Sequence, residues 1–332
     1  MAFLILTDCE NQAVAQTIAQ GLKLKNFAVT LLDLSQIAEQ ASYAFSFGSD
    51  QFPQFKLPRW QQQALAWHDF DLVCGFYGAA WPEPAFVSCQ DGQADAERQA
   101  HIKSLLSGIH EQIPAPEAWC NPDAALATQH QVVRQAQLAR QAGFRQVASL
   151  IGNDSLAIKA FIQACGGKVY CKNLPANYVA SAQACVLSAA QCELDAALFY
   201  SPAWYQQIVA LSFSARVVVI GEFMLAFKLT SELGNLQLSS DFPQFANAAT
   251  ISIAAELQEM IQRFRLQSGL DIFTLDFVID QRQQWYFIAI SPNFLVTIGE
   301  ANPALGLPGQ VVNYLIRRAL QSQVSKPQQI LQ

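Results

Sequence analysis

The stretch from Ala2 to Leu32 constrains the fold more than any other. Ala2–Thr7 carries no charge, Val14, Ile18 and Leu22 recur on one helical face between Asn11 and Leu24, and Ala28 to Leu32 is again mostly apolar. Strand, helix and strand in that order predict a β-α-β unit, because strands joined by a crossover helix run parallel in one sheet. Gly48 to Trp60, with Pro53, Pro58 and several aromatics, has no clear period and reads as an irregular excursion before a strand from Leu72 to Phe76. A helix is predicted from Gln90 to His110, with Ala94, Ile102, Leu105 and Leu106 inward. Ile113-Pro114-Ala115-Pro116 then punctuates the chain, so the first domain is expected over 1–116.

Past that point the pattern changes twice. A helix from Ala124 to Ala142 is predicted to stop at Gly143, and strand, helix and strand follow over Gln146 to Ile151, Asp154 to Cys165 and Lys168 to Asn173. This is expected to be a small central domain, 117–200. From Arg216 onward the signals are antiparallel. Arg216 to Ile220, Met224 to Leu229 and Leu236 to Ser239 read as a meander turning at Gly221-Glu222 and Gly234-Asn235. A helix from Ile253 to Ser268, strands over Phe273 to Asp280 and Trp285 to Ile290, and a helix from Gly309 to Ser322 complete a C-terminal domain, 201–332. The fold class is therefore α/β and α+β, with a parallel-sheet domain at the start and an antiparallel one at the end.

Composition removes several functions. At 332 residues and 52% hydrophobic, the chain is neither disordered nor too short for several cores. Charged residues make up 14%, against the roughly 25% of ordinary soluble domains. Sparse charge favours self-association, hence an expected homodimer. A net charge of -6 with no Lys/Arg cluster excludes a nucleic-acid partner. The eight cysteines form no C-x-x-C, and His68, His101, His110 and His130 stand at no metal-ligand spacing, which points to buried thiols in a reducing compartment. The apolar start lacks a basic leader and is too short for a bilayer, so a cytoplasmic protein without a membrane partner is expected.

Four segments in order carry a family resemblance: Trp119-Cys120-Asn121-Pro122, Val169-Tyr170-Cys171-Lys172, Ala215-Arg216-Val217-Val218-Val219-Ile220-Gly221, and Leu275-Asp276-Phe277 with the strand Trp285 to Pro292 behind it. Together with the β-α-β opening they resemble the ATP-grasp superfamily, above all the microviridin-type (graspetide) ligases that crosslink precursor peptides. The resemblance implies a cleft between two lobes that holds ATP and Mg²⁺ and phosphorylates a substrate carboxylate, which an amine or hydroxyl then attacks. It implies that Lys172 and Gln206 contact ATP, that Arg216 is catalytic, and that Asp276 is a metal ligand. The Met224 to Ser239 hairpin resembles the element that holds a leader peptide in such ligases, and Phe76 to Trp81 stands where open α/β sheets place ligand loops. Without the resemblance, Lys172 reads as a solvent lysine at a strand end, Arg216 as a surface ion-pair member and Asp276 as a capped structural carboxylate.

The departures are concentrated in the metal site. The family's last strand usually runs Phe-Leu-Glu-Ile-Asn-Pro, whereas here the Glu and Asn positions are Ala289 and Ser291. Mg²⁺ prefers hard oxygen ligands, and Ala289 supplies none. No lysine occurs between Lys103 and Lys159, where the family places one on the phosphates; Gln129, His130, Gln131 and Val132 stand in that neighbourhood. Ser240-Asp241-Phe242-Pro243 replaces an Asp-Trp-Arg motif, and Tyr205-Gln206-Gln207 stands where a Gln-Glu pair is common. Glu300-Ala301-Asn302-Pro303 repeats the lost letters later and offers a replacement metal site. Three readings stay open: a degenerate member binding a peptide, a precursor peptide or a second ATP-grasp protein; an active carboxylate ligase; and a nucleotide binder without turnover.

Overall fold

The computed structural model describes residues 1–8, 11–33, 57–60, 63–65, 70–76, 119–173, 185–194, 201–229, 248–291 and 294–325. The expected helix from Gln90 to His110, Tyr77 to Trp81, the boundary at Pro116 and the segment Leu236 to Pro243 lie outside the described residues.

The opening folds as its pattern dictates. β1 (Ala2–Thr7), α1 (Gln12–Leu24) and β2 (Ala28–Asp33) form the expected unit, with β1 and β2 parallel. β3 (Leu57–Trp60) pairs antiparallel with β4 (Gln63–Leu65), correcting the irregular excursion expected there. A short hairpin tolerates Pro58 because an edge strand has no second ladder to lose. β5 (Leu72–Phe76) and β6 (Trp119–Cys120) complete a parallel sheet in the order β2-β1-β5-β6.

The predicted helix from Ala124 to Ala142 is broken. α2 (Asp123–Leu126) passes into a 3-10 turn (Ala127–His130), and α3 (Val132–Ala142) restarts after Gln131, whose ψ of 78° is not helical. Gln135 holds this break: its Nε2 donates to the Thr128 and Gln129 carbonyls at 3.0 and 2.7 Å. Gly143 ends α3 in the left-handed region (φ +97°), a conformation that costs glycine little. β7 (Arg145–Gln146) follows. The central sheet then comprises β8 (Ser149–Gly152), β9 (Lys168–Asn173), β10 (Cys185–Ser188) and β11 (Ala203–Gln207), antiparallel in the order β10-β9-β11-β8. α4 (Ser155–Ala164) is capped by the Asp154 carboxylate, which accepts from the Leu156 and Ala157 N–H groups, and α5 (Ala189–Leu194) follows β10.

β12 (Leu211–Ile220), β13 (Phe223–Leu229), β14 (Thr250–Ile251), β15 (Ile272–Asp280) and β16 (Trp285–Ser291) make the large sheet, to which β7 adds in parallel. α6 (Ala255–Ser268) and α8 (Leu307–Ser325) are close to expectation, whereas α7 (Phe294–Glu300) was not predicted. Gly221 turns the β12-β13 hairpin at φ +60°, and a Cβ there would collide with the Tyr314 ring.

Two cores result. One runs through the parallel sheet, α1, α8 and the inner face of the large sheet, where Phe144, Phe264, Phe277 and Phe287 interlock with ring centroids 5.4 to 6.2 Å apart. The central sheet has its own: Ile158 and Ile162 of α4 on Val169, Cys171, Leu187 and Tyr205. Asn121 ties the end of the parallel sheet to the start of β15. Fully buried at φ +54°, it donates to the Ile272 carbonyl and accepts from the Asp271 and Ile272 N–H groups.

Candidate functional site

Strand alternation gives the central sheet one packed face and one cleft face. Val169, Cys171 and Tyr205 turn to α4, so Tyr170, Lys172, Trp204 and Gln206 turn the other way. Register sets them in two rows, Tyr170-Gln206-Ser149 and Lys172-Trp204-Ile151. Cys171 is accordingly a packed thiol on the opposite face from Lys172.

The large sheet meets this face through a β-bulge. Asp276 pairs with Ala289 and Phe277 with Phe287, leaving Ile288 as the extra residue. Ile288 packs in a buried cluster with Val147, Tyr170 and Val278, and Ala289 flanks it. The cleft is thus bridged by apolar contact at one end.

At the other end stand the charges. Arg216 and Asp276 are cross-strand partners on β12 and β15, only 6% and 3% exposed. The guanidinium holds the carboxylate as a fork: Nε donates to Oδ1 at 2.6 Å and Nη2 to Oδ2 at 3.0 Å, while Nη1 donates to Thr297 Oγ1 at 3.1 Å. Arg216 is therefore buried within its strand rather than a surface ion-pair residue. Lys172 is half-buried rather than free in solvent, with its ammonium 3.8 Å from the Trp204 ring centroid. Desolvation lowers its pKa to about 8, and the Asp276 charge opposes that shift.

Mg²⁺ does not fit these residues. Both Asp276 oxygens accept from Arg216, Ala289 opposite it has no ligand atom, and no group of three His, Cys, Asp or Glu is placed for a metal among the described residues. Asn302, in the proposed replacement motif, spends its Oδ1 on the Ala304 N–H at 2.9 Å, and Glu300 is exposed at the end of α7. Among the described residues, Thr274 Oγ1, whose strand neighbour is Ser291, and the Thr128 hydroxyl and Gln129 amide of the 3-10 turn beside β16 find no partner. Such groups ordinarily meet water or ligand.

A cavity of about 260 Å³ opens between the cleft face, α3 and β16. Gln206 lines it, as do Ile151, Trp204, Val132 and Ile288, and none of its lining residues is charged.

The arrangement of sheets has known counterparts. A Chryseobacterium gregarium RiPP-associated ATP-grasp ligase, in complex with ADP and a leader and core peptide, superimposes with a TM-score of 0.77 at 15% identity, over 96% of this chain and 97% of that one. The macrocyclase MdnC of Microcystis aeruginosa MRC, bound with precursor peptide MdnA, gives 0.76 at 15% identity over 95% and 99%. PsnB, an ATP-grasp ligase complexed with a phosphomimetic variant of its minimal precursor, Mg and ADP, gives 0.70 at 18% identity over 95% and 98%. The chain has the ATP-grasp fold. No protein-family model and no curated protein matches its sequence.

Within the ATP-grasp fold, Lys172 lies on the cleft face of the central sheet and feels the charge of Asp276, which Arg216 holds. Gln206 faces the same cleft but lies beside Ser149, away from the Arg216-Asp276 pair. Trp204, Tyr170 and Thr297 escaped the sequence reading. The first two lie two residues from Gln206 and Lys172 along their strands, and alternation alone places them on the cleft face. Thr297 sits on a helix of seven residues, too short to announce itself by period.

Proposed function

We propose that this ATP-grasp-fold chain binds a peptide, such as a leader or precursor segment, and carries out little or no ligation. The observation that carries this reading is the Arg216-Asp276 fork opposite Ala289: the carboxylate that would hold a divalent cation is already neutralised by the protein. The peptide enters the reading from the ligases of the same fold whose structures hold leader, core or precursor peptides. Calorimetric titration with ATP in excess Mg²⁺ tests it. Absence of saturable binding up to millimolar ATP is expected, whereas tight Mg-dependent binding overturns the loss of the metal site. The division into lobes at 116 and 200 and a homodimer belong to the same proposal; sedimentation velocity at micromolar concentration checks the second.

One observation favours a working ligase: Lys172, Arg216 and Asp276 still share one cleft. In that reading a peptide carboxylate takes the γ-phosphoryl group of ATP, ADP leaves, and an amine or hydroxyl displaces phosphate. Arg216 would have to release one Asp276 oxygen first. Phosphate release on mixing with Mg·ATP and a candidate peptide, lost in Asp276→Asn, is its signature.

A further inference from the structure

The face of the central sheet that turns away from the cleft carries thiols on two neighbouring strands. Cys171 on β9 and Cys185 on β10 are register partners, so their side chains leave the sheet on the same side, toward α4. Their exposure differs. Cys171 is 8% exposed, in one buried cluster with Ile158, Val169 and Leu187, whereas Cys185 is open to solvent, a departure from the buried thiols expected of the sequence. Among the described residues β10 is the outermost strand of its sheet, so it can shift without breaking a second ladder.

The ladder sets how far apart the two thiols stand. The Ala189 N–H donates to the Gly167 carbonyl at 3.3 Å, and counting by twos from that pair makes Leu187-Val169 and then Cys185-Cys171 hydrogen-bonded pairs. Such partners have Cα atoms about 5.5 Å apart, inside the roughly 4.4 to 6.8 Å that a disulfide spans. Their Cβ atoms start farther apart than the ~3.8 Å of a relaxed disulfide, so a bond here draws the edge strand inward and is easily reduced. Other described thiols lack one half of this arrangement. Cys74 and Cys120 are register partners too, but both are fully buried and offer a reagent no entry. Cys165 packs beside the same cluster, but it follows α4 without a strand partner, and burial pushes its thiol pKa up.

We propose that Cys185 is a thiol-exchange site with Cys171 as its resolving partner. The oxidant is a low-molecular-weight disulfide. The Cys185 thiolate attacks one of its sulfurs, forming a mixed disulfide and releasing one small thiolate; the Cys171 thiolate then attacks Cys185 Sγ and releases the second. Two protein thiols are oxidised, the small disulfide is reduced to two thiols that take up the two protons, and excess small thiol runs the sequence backward. Lys172 is the next residue along β9 and stands on the other face, so the oxidised form clamps the strand that presents the cleft lysine.

The test equilibrates the full chain with glutathione at set ratios of disulfide to thiol, traps remaining thiols with an alkylating reagent and maps peptides without reduction. A Cys171-Cys185 cross-link within one chain is expected as the main product, reversed by dithiothreitol. Cys171→Ala should stop at the mixed disulfide, with glutathione left on Cys185. Cys185→Ser should keep Cys171 reduced at the ratio that oxidises the wild type. Circular-dichroism melting confirms that both variants fold, and the wild-type map decides the pairing without them. Glutathione retained on wild-type Cys185 beside a reduced Cys171 overturns the resolving role. A main cross-link through Cys165, or one between chains, overturns the pair, and oxidation of Cys171 in Cys185→Ser overturns Cys185 as the point of entry. Amide hydrogen exchange over β9 and β10 should slow several-fold in the oxidised chain; unchanged exchange overturns the clamp.

Discussion

The two ends of the cleft are built from opposite materials. At one end Arg216, Asp276, Thr297 and Lys172 gather charge and hydrogen bonds; at the other Val147, Tyr170, Val278 and Ile288 exclude both. Yet Asp276 and Val278 lie two residues apart on one strand, and the β16 bulge falls between the pairs they make. The contrast teaches that only the Arg216-Asp276 pair is internally balanced. Lys172 leaves the charged end with one cation in excess, whereas the apolar end leaves an unfilled space.

Breaking the charged end should have the largest effect. Arg216→Ala strands a buried carboxylate, and a loss of about 3 to 5 kcal/mol is expected in urea unfolding. Replacing both partners, Arg216→Met with Asp276→Leu, should recover most of that loss. A cost for the single variant below about 1 kcal/mol would mean that water reaches this end, as it does for surface pairs.

Next in size is the pH response of Lys172. Below about pH 8 native and unfolded chains both carry the ammonium, and the burial penalty is complete. Between about 8 and 10.5 the native amine gives up its proton first, so the unfolded chain binds more protons and stability rises with pH. Lys172→Met should remove that rise from the difference between the two chains. A parallel pH dependence in both would show that the ammonium is solvated.

The apolar end should respond more mildly. Ile288→Val deletes one methylene from a packed cluster, and about 1 kcal/mol is expected by chemical denaturation. Ser149→Ala should cost least, about 0.5 kcal/mol, while freeing Gln206 to turn.

Periodicity made the fold readable because its signals are local. The β-α-β opening, Gly143 as a helix stop and the strands on either side of Asp276 all follow from neighbours a few residues away. The site was legible only through the family resemblance, which singled out Lys172, Arg216 and Asp276; residue type by itself left a strand-end lysine, a surface ion pair and a capped carboxylate. What each would touch was not legible, since the partners of Arg216 lie 60 and 81 residues along the chain. The bulge that brings Ile288 to the cleft is set by register between two strands, which no single strand's pattern records. Gln131 misled for a similar reason: nothing near it warns that the Gln135 amide will take the carbonyls a continuous helix would use.

Asn121 has a consequence for how the chain is made. Its three hydrogen bonds go to backbone that the ribosome delivers some 150 residues later. Until β15 emerges, that turn must remain hydrated and the parallel sheet must wait with part of its core uncovered. The central sheet, whose contacts are local, can close meanwhile. Order of assembly is thus expected to run against order of translation: the middle of the polypeptide sets first, and its beginning is sealed last, by its end.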